Sequence, residues 1–522
     1  MPQNYLRQAL ESGEFICTAE LVLGRDYTFP EVEQFIKDAS ETPDGIKVIS
    51  LTDLPGGNPA FPPECFASFV VEHGLSPLVH LTSKDGNRGL LEGRLHSLGR
   101  LGSENVLILT GDAPTTGFYG KPKPVYDFGS AHCIRLAAEM QKGISYQVGK
   151  RSMQTTPINF LIGAVVNPFK IVEPGLMTQL YKLELKIRCG AQFIIPQLGY
   201  NLRKLYELKQ YMDQHGLGHI PILANVYVPT ATIARFMQAG EIPGCVISDQ
   251  FIEALQQEKK PQRLERAALM VAAAKGLGFA GAHVGGFGLT HKDFMQIIAS
   301  AEEIGDQWRG RIDELVFDMG ADDFYLFPKG ADGLSDASQP PQIPGIHPKG
   351  SLASKGFGLI HSLVVAERSP FGKYFQWRMK RLREKYDEDW ERGLSYHMLD
   401  MADIVKRATL GCVECGDCTQ DYMNFSGCSM GKCIKETRNG PCGGSRVDGT
   451  CEVKPEMQCV WNASYSDLVA AGKDPQKFAY TLIPPRNWDL NRTNSLANYF
   501  AEVDNNHSRK TIDLPTTETE KE

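Results

Sequence analysis

Eight short apolar segments, most of them followed by enough chain for a helix, constrain the fold more than any other feature. Several are unbroken apolar runs, as expected when both faces of a parallel strand are buried. Eight strand–helix units in about 300 residues predict an α/β fold, a closed (β/α)8 TIM barrel. An open doubly wound sheet is the alternative, but Glu20-Leu-Val-Leu-Gly24 lacks the glycine-rich phosphate turn of such sheets. The predicted strands are Ile16–Val22, Ile46–Thr52, Leu78–Thr82, Val106–Thr110, Ile158–Val166, Phe193–Gln197, Ile222–Val228 and Gly281–Gly286.

The 13 cysteines divide the chain into two unlike parts. Five are scattered singly through the barrel, whereas eight lie close together in the C-terminal part. Their initial Cys-x2-Cys-x2-Cys run is how bacterial ferredoxins hold a cubane cluster, and eight thiolates would hold two [4Fe–4S] clusters. Zinc, which four cysteines also bind, is the alternative. The predicted metal ligands are Cys412, Cys415, Cys418, Cys428, Cys433, Cys442, Cys451 and Cys459.

Composition also predicts the domain limits. Residues 1–330 form the barrel, 331–408 a linker with charged helices, 409–500 the cysteine-rich domain, and 501–522 a polar, disordered tail. The helical pattern over Tyr374–Lys406 is interpreted as a solvated amphipathic pair, with a docking surface for a partner as the alternative.

Charge and hydropathy exclude some functions and compartments. The formal net charge of −7 argues against a protein that mainly holds nucleic acid, which needs a clustered basic face. The N-terminal residues carry no apolar secretory segment. The most apolar stretch, Ala267–Gly288, contains Lys275 and His283 and does not suit a membrane span. We therefore expect a cytoplasmic protein, in which clustered cysteines ligate metal more often than they form disulfides.

The working residues of such barrels project from the C-terminal ends of the strands. Two carboxylates and an amide around one mouth suit an acid-assisted reaction on a nitrogen heterocycle, since a partly desolvated Glu can hold and deliver a proton. Structural roles are the alternatives: Asp112 could cap a turn, His80 could be a satisfied core histidine, and Gln197 a buried structural amide. The positions selected are Glu20, Thr52, His80, Gly111, Asp112, Asn167, Gln197 and His283.

Six segments over roughly residues 15–290 resemble the methylenetetrahydrofolate reductase family, flavin-dependent barrel enzymes of one-carbon metabolism. They occur in the family's order and in the expected strand context. The segments are Thr18-Ala-Glu20, Val48-Ile-Ser-Leu-Thr52, Pro77-Leu-Val-His80-Leu-Thr82, Val106-Leu-Ile-Leu-Thr-Gly111-Asp112-Ala-Pro114, Leu185–Gln197 and Gly281-Ala-His283.

The resemblance implies an oxidoreductase on CH–NH donors that interconverts 5,10-methylenetetrahydrofolate and 5-methyltetrahydrofolate. Glu20 matches the general acid for N10, Asp112 the carboxylate that contacts pterin and flavin and favours the 5-iminium cation, and Gln197 the pterin-binding amide. The flavin is FAD or FMN, and Thr110-Gly-Asp112 departs from the common Arg-Gly-Asp on the phosphate side. Positions implied to contact the flavin are Thr52, His80, Gly111, Asp112, Ser130, Ala131 and Lys186.

The cysteine block resembles the C-terminal domain fused to, or partnered with, some members of this family. Arg438-Asn-Gly-Pro-Cys-Gly-Gly444 and Cys459-Val-Trp461 carry the resemblance. It implies iron–sulfur clusters that exchange electrons with the flavin, with NAD(P)H or a ferredoxin-type protein as electron donor. A homo-oligomer or a partner subunit is also implied.

Two other functions remain open at the level of sequence. A pterin-dependent methyltransferase on the same barrel would need no flavin and would need a corrinoid or thiol acceptor. A non-catalytic assembly subunit with zinc in the cysteine domain is the second alternative.

Overall fold

A computed structural model describes residues 3–345, 347, 352–365, 369–386 and 394–514. Eight parallel strands form one sheet in which β1 to β6 are neighbours in chain order, while β8 pairs with β1 and with β7. A bridge between Ile194 and Ile222 joins β6 to β7 and closes the barrel. The predicted TIM barrel is thereby confirmed. Its strands are β1 (Ile16–Leu21), β2 (Val48–Leu51), β3 (Ser76–Thr82), β4 (Asn105–Leu109), β5 (Leu161–Val166), β6 (Phe193–Pro196), β7 (Leu223–Tyr227) and β8 (Gly281–Gly285).

Helices surround the barrel, and apolar side chains fill it. Leu6 of the first helix lies at 0% exposure against barrel residues such as Leu78 and Phe193. Gly163 of β5 leaves room for Phe193, because a Cβ at 163 would lie 2.3 Å from that ring. The helices are α1 (Tyr5–Ser12), α2 (Pro30–Glu41), α3 (Pro63–Glu72), α4 (Arg88–Leu101), α5 (Ser130–Met140), α6 (Glu173–Arg188), α7 (Leu202–Gln214), α8 (Ala231–Ala239), α9 (Asp249–Gln257), α10 (Lys260–Gly276) and α11 (His291–Ile304).

The C-terminal part has a second apolar cluster and little regular structure around its cysteines. Phe375 and Met379 of α13 pack against Phe500 of α18, with the rings of Phe375 and Phe500 stacked at 5.6 Å. None of the helices in the described ranges is long and apolar enough to cross a membrane. The helices here are α12 (Leu352–Val364), α13 (Pro370–Tyr386), α14 (Leu394–Leu410), α15 (Ser429–Lys432), α16 (Val460–Ala470), α17 (Lys477–Tyr480) and α18 (Ser495–Ala501).

The first part of the predicted disordered tail is ordered. The short strand Lys510–Thr511 pairs antiparallel with Thr481–Leu482. Ile512 and Leu514 pack against the main core, which supplies the apolar burial that the composition of this segment concealed. The remainder of the predicted tail, 515–522, lies outside the described residues.

Candidate active site

Side chains from four neighbouring strands form two hydrogen-bonded groups on one side of the barrel mouth. Glu20 of β1 lies 3.1 Å from Nε2 of His283 on β8, and Nδ1 of His283 lies 2.7 Å from the Thr18 hydroxyl. On β3, His80 contacts the Ser50 hydroxyl through Nε2 at 2.8 Å. Side chains alternate along a strand, so Thr18 and Glu20 point to the same side of β1 and both contact the ring of His283. A carboxylate, an imidazole and a hydroxyl are thus aligned for proton transfer.

The protonation of Glu20 differs from the sequence expectation of a carboxyl that keeps its proton at neutral pH. Burial raises the pKa of Glu20, but the hydrogen bond from His283 and the electrostatic influence of the nearby His283 and His80 rings outweigh burial and hold the pKa below its ordinary value. Burial lowers the pKa of His80 to about 4. At neutral pH this geometry therefore holds an ionised Glu20 beside a neutral His80.

Asp112 follows β4 on a tightly packed turn. Gly111 has φ +87°, a conformation that favours glycine, and a Cβ there would lie 3.0 Å from Thr82 and Lys84. Burial raises the pKa of Asp112, the positive charges of Lys435 and Lys84 lower it, and the net shift is upward. The charge of Asp112 therefore depends on Lys435, which belongs to the cysteine-rich domain.

The cysteine-rich domain covers the β4–β5 side of the mouth. Nζ of Lys435 donates to the carbonyl of Gly111 at 2.9 Å and forms a buried ion pair with Glu452. The amide of Asn167, at the end of β5, donates to the carbonyls of Gly244 at 2.7 Å and Gly443 at 3.1 Å. The barrel mouth is thus completed by residues far away in sequence.

A cavity of about 70 Å³ lies between the two domains. Asp112 and Gln197 line it from the barrel, and Cys442 and Glu452 line it from the cysteine-rich domain. Gln179 of α6 also lines the cavity, and only 4% of this residue is exposed. Its buried Nε2 has no hydrogen-bond partner among the described residues. A polar ligand in this cavity would satisfy that amide.

The structure places the remaining predicted flavin contacts in three locations. Lys186 lines the same cavity, and its ammonium donates to the carbonyl of Val165. Ser130 and Ala131 are each 1% exposed in the first turn of α5, where the Thr110 hydroxyl contacts that of Ser130 at 3.5 Å. Thr52 accepts a hydrogen bond from the amide of Leu23 at 3.1 Å.

The eight clustered cysteines separate into two groups of four. Cys412, Cys415 and Cys418 lie close enough to Cys428 to influence its thiol electrostatically. Burial, and to a smaller extent these three cysteines, raise the pKa of the Cys428 thiol to about 12. In the other group, a small cavity of about 20 Å³ is bounded by all four remaining cysteines. We call these the distal group (Cys412, Cys415, Cys418, Cys428) and the proximal group (Cys433, Cys442, Cys451, Cys459), because only the latter also lines the mouth cavity.

The spacing within these groups exceeds that of a single zinc site. Among the described residues, Glu20, His80 and His283 are the one set of three potential ligands whose ligand atoms all lie within 4.8 Å. No three cysteine sulfurs of the described chain therefore approach one another that closely. A tetrahedral Zn–S₄ site with bonds near 2.3 Å needs sulfurs only about 3.8 Å apart.

Sequence reasoning missed several residues of the site. Thr18 and Ser50 were not selected from the sequence as partners of the two histidines. Each lies two residues before a selected position, Glu20 or Thr52, and therefore on the same face of its strand. Gln179 and Lys435 carried no local signal, because both reach the mouth only through tertiary packing.

Asp127 joins the barrel to the cysteine-rich domain. Its carboxylate accepts hydrogen bonds from the backbone and guanidinium of Arg88 at 2.7–2.9 Å and from the Trp488 indole at 2.7 Å. Burial raises the pKa of Asp127, but the hydrogen bonds from Arg88 and Trp488 outweigh burial and lower the pKa to about 2. Because this pKa lies below that of the unfolded chain, the stabilisation is complete above about pH 4 and is lost as the pH falls through 2.

We predict that Asp127→Asn lowers the free energy of unfolding by about 1 kcal/mol at pH 7, since solvent screens part of the contact. The difference between variant and parent should shrink below about pH 4, as the parent carboxylate gains its proton. Denaturant unfolding between pH 7 and 3 measures both values. A difference that stays constant over this range would contradict a role for the ionised carboxylate.

Comparisons with known proteins place both parts of the chain. A family model of methylenetetrahydrofolate reductase matches residues 6–275, and one described as the methylene-tetrahydrofolate reductase C terminal matches residues 392–489. No curated protein matches significantly.

Several solved structures align with the barrel at low similarity. A protein from Clostridium thermocellum, described as uncharacterized and as binding two copies of 5-methyl-5,6,7,8-tetrahydrofolic acid, is 14% identical, with 57% of this chain and 98% of that chain covered and a TM-score of 0.39. A 2,3-dimethylmalate lyase is 13% identical, with 60% and 88% covered and a TM-score of 0.32. An oxaloacetate acetylhydrolase is 16% identical, with 54% and 79% covered and a TM-score of 0.33.

The barrel model alone spans more than half of the chain, and the C-terminal model covers most of the cysteine-rich part. The chain therefore belongs to the methylenetetrahydrofolate reductase family, as an enzyme whose reductase barrel is fused to the family's C-terminal domain.

Proposed function

We propose that the chain interconverts 5,10-methylenetetrahydrofolate and 5-methyltetrahydrofolate on a flavin at the barrel mouth, with two [4Fe–4S] clusters relaying electrons to or from it. The observation that carries this proposal is the shared cavity, in which Asp112 and Gln197 of the barrel face Cys442 of the proximal group. A redox group held there would lie beside the folate site without any intervening domain.

Glu20 is the proposed acid for N10 of the folate. Because Glu20 is ionised in this geometry, it must gain a proton before it can deliver one. A doubly protonated His283 would supply that proton and itself become neutral, since its Nε2 faces Glu20 and its Nδ1 contacts Thr18. Bound substrate would exclude water and bury Glu20 more completely. Because burial raises the pKa of Glu20, substrate binding would favour its protonated form.

Asp112, Gln197 and Gln179 are the proposed pterin contacts. The amides can each pair with a donor–acceptor edge, and Nε2 of Gln179 has no hydrogen-bond partner among the residues that the structure describes. An ionised Asp112 would favour positive charge on the folate, and the ammonium of Lys435 promotes that ionised form. The cysteine-rich domain thereby contributes to folate chemistry through a charge rather than through a direct contact.

The residues around the mouth fit a flavin, which supplies hydride transfer when bound. The turn at Gly111 has no room for a side chain, because a Cβ there would lie 3.0 Å from Thr82 and Lys84, so the backbone itself faces the mouth. Lys186 adds a buried donor. The proposed binding residues are Thr52, His80, Gly111, Asp112, Ser130, Ala131 and Lys186.

Two groups of four cysteines suit two iron–sulfur clusters. A cubane takes one thiolate on each of its four irons, and the Cys412-x2-Cys415-x2-Cys418 run is the ferredoxin manner of supplying three of them. Such clusters supply single-electron transfer when bound. The distal group would then exchange electrons with a ferredoxin-type donor, and NAD(P)H acting directly at the mouth is the competing donor.

An optical spectrum of anaerobically purified chain, with iron, zinc and flavin quantified per chain, tests the proposal. We expect one flavin, about eight iron atoms and a broad cluster absorbance. Stoichiometric zinc in a chain without cluster absorbance would overturn the electron relay. A chain without flavin that transfers methyl groups to a corrinoid protein would overturn the reductase chemistry.

A further inference from the structure

Two lysines of the barrel extend into the cysteine-rich domain close to the proximal group. Lys170, just after β5, is 1% exposed, and its ammonium donates to the carbonyl of Ser445 at 2.5 Å. Lys182 of α6 is 4% exposed and donates to the carbonyls of Gly440 at 3.3 Å and Pro441 at 2.5 Å, immediately before Cys442. Both ammonium groups are therefore fixed beside the proximal cysteines.

Lys170 and Lys182 form no direct ion pair within the described part of the chain. Their hydrogen bonds go to neutral carbonyls. Two other buried lysines do have ion-pair partners: Lys406 pairs with Asp403, and Lys435 pairs with Glu452. A buried cation without a counter-charge is costly, so an anion is expected nearby.

The proximal cysteines would become anionic as the thiolate ligands of a bound cluster. The charges of Cys442, Cys433 and Cys459 act on Lys182. Glu452, Cys442 and Cys459 each favour the charged form of Lys170. The charge of Glu452 is already balanced by its ion pair with Lys435. Burial lowers the pKa of both lysines to about 8, and the negative charges of these groups oppose that shift. The two ammonium groups are thus placed to compensate a negatively charged group held by the proximal cysteines.

We propose that Lys170 and Lys182 are the counter-charges of the proximal iron–sulfur cluster and raise its reduction potential. This inference rests on the proposed function, which supplies the cluster. A [4Fe–4S] core of charge +2 with four thiolates carries about −2, and one electron from a reductant makes it about −3 without a proton. A fixed positive charge nearby stabilises the reduced state more than the oxidised state.

The test is a redox titration of the full chain with low-potential mediators, followed by electron paramagnetic resonance. Lys182→Met and Lys170→Met should each shift the proximal midpoint potential to a more negative value, and Lys182→Arg should restore it. The distal midpoint should stay unchanged in the same samples. Lys204→Met is the control for structural perturbation, because Lys204 is equally buried and donates to the backbone carbonyl of Lys170 at 2.9 Å, but its charge faces Glu207 and Asp323.

Each outcome of the redox titration either supports or overturns the proposed role of the two lysines. Two intact clusters whose midpoints do not respond to Lys182→Met or Lys170→Met would overturn the inference while leaving the proposed function standing. Equal shifts of both clusters, or the same shift in Lys204→Met, would show a general structural effect and also overturn it. A parent chain without iron would overturn the proposed function and, with it, this role of the lysines. If Lys182→Met fails to fold, Lys170→Met provides the same measurement.

Discussion

Replacement of Glu20 by Gln should slow the folate half-reaction by about 10²–10⁴-fold while flavin reduction proceeds at the parent rate. The amide keeps the shape of the side chain and can still contact His283, but it cannot deliver a proton to N10. Flavin reduction by the electron donor needs no acid at that nitrogen. Stopped-flow measurement of the two half-reactions separates the effects.

Two variants make this experiment specific. Glu14→Gln changes an exposed carboxylate just before β1 and should leave both half-reactions unchanged. His283→Asn removes the imidazole that links Glu20 to Thr18, so it should slow the folate half-reaction but spare flavin reduction. Equal losses in both half-reactions of Glu20→Gln would instead indicate that Glu20 supports flavin binding.

Loss of one cysteine group should remove about half of the iron and abolish donor-driven folate reduction. Cys428→Ser takes a ligand from the distal group and Cys442→Ser takes one from the proximal group, so each is expected to retain about four iron atoms. Donor-driven reduction should be lost in both variants, because electrons must pass through both clusters to reach the flavin. Iron analysis and an assay with a ferredoxin-type donor measure the two effects.

A second assay locates the break in the relay. When the flavin is reduced photochemically, Cys428→Ser should still reduce folate, because the distal group is needed only for electron entry. Cys65→Ser, at an exposed thiol on α3, is the control and should keep full iron and activity. Full donor-driven activity in Cys428→Ser would contradict the relay and favour NAD(P)H acting at the barrel mouth.

Most of the barrel could be predicted from the sequence because burial on both faces leaves a strong local pattern. All eight strands lie within a few residues of their predicted limits, and the differences fall at the ends. Ile46 and Thr52, for example, are buried but lie outside the β2 ladder. The hairpin Ser145–Val148 with Arg151–Gln154 was not foreseen, since each strand has only 4 residues and all of them are exposed.

The site was less predictable, because its electrostatics come from distant parts of the chain. The strand-end rule pointed to Glu20 and His283, which the fold brings together. It did not reveal that their contact lowers the pKa of Glu20. Lys435 lies more than 320 residues after Gly111, yet it donates to that residue's carbonyl and affects Asp112. Such long-range pairs leave no periodic signal in a single sequence.

The covering of the barrel mouth by the cysteine-rich domain ties the proposed clusters to the completion of the barrel mouth. The proximal cysteines lie at the domain boundary, where Asn167, Lys170 and Lys182 donate hydrogen bonds to the backbone on both sides of Cys442. If these cysteines bind a cluster as proposed, the backbone that holds the cluster is also the backbone that docks onto the barrel. Loss of the metal would then loosen the segment that completes the mouth, so iron supply would affect the folate site as well as the electron relay.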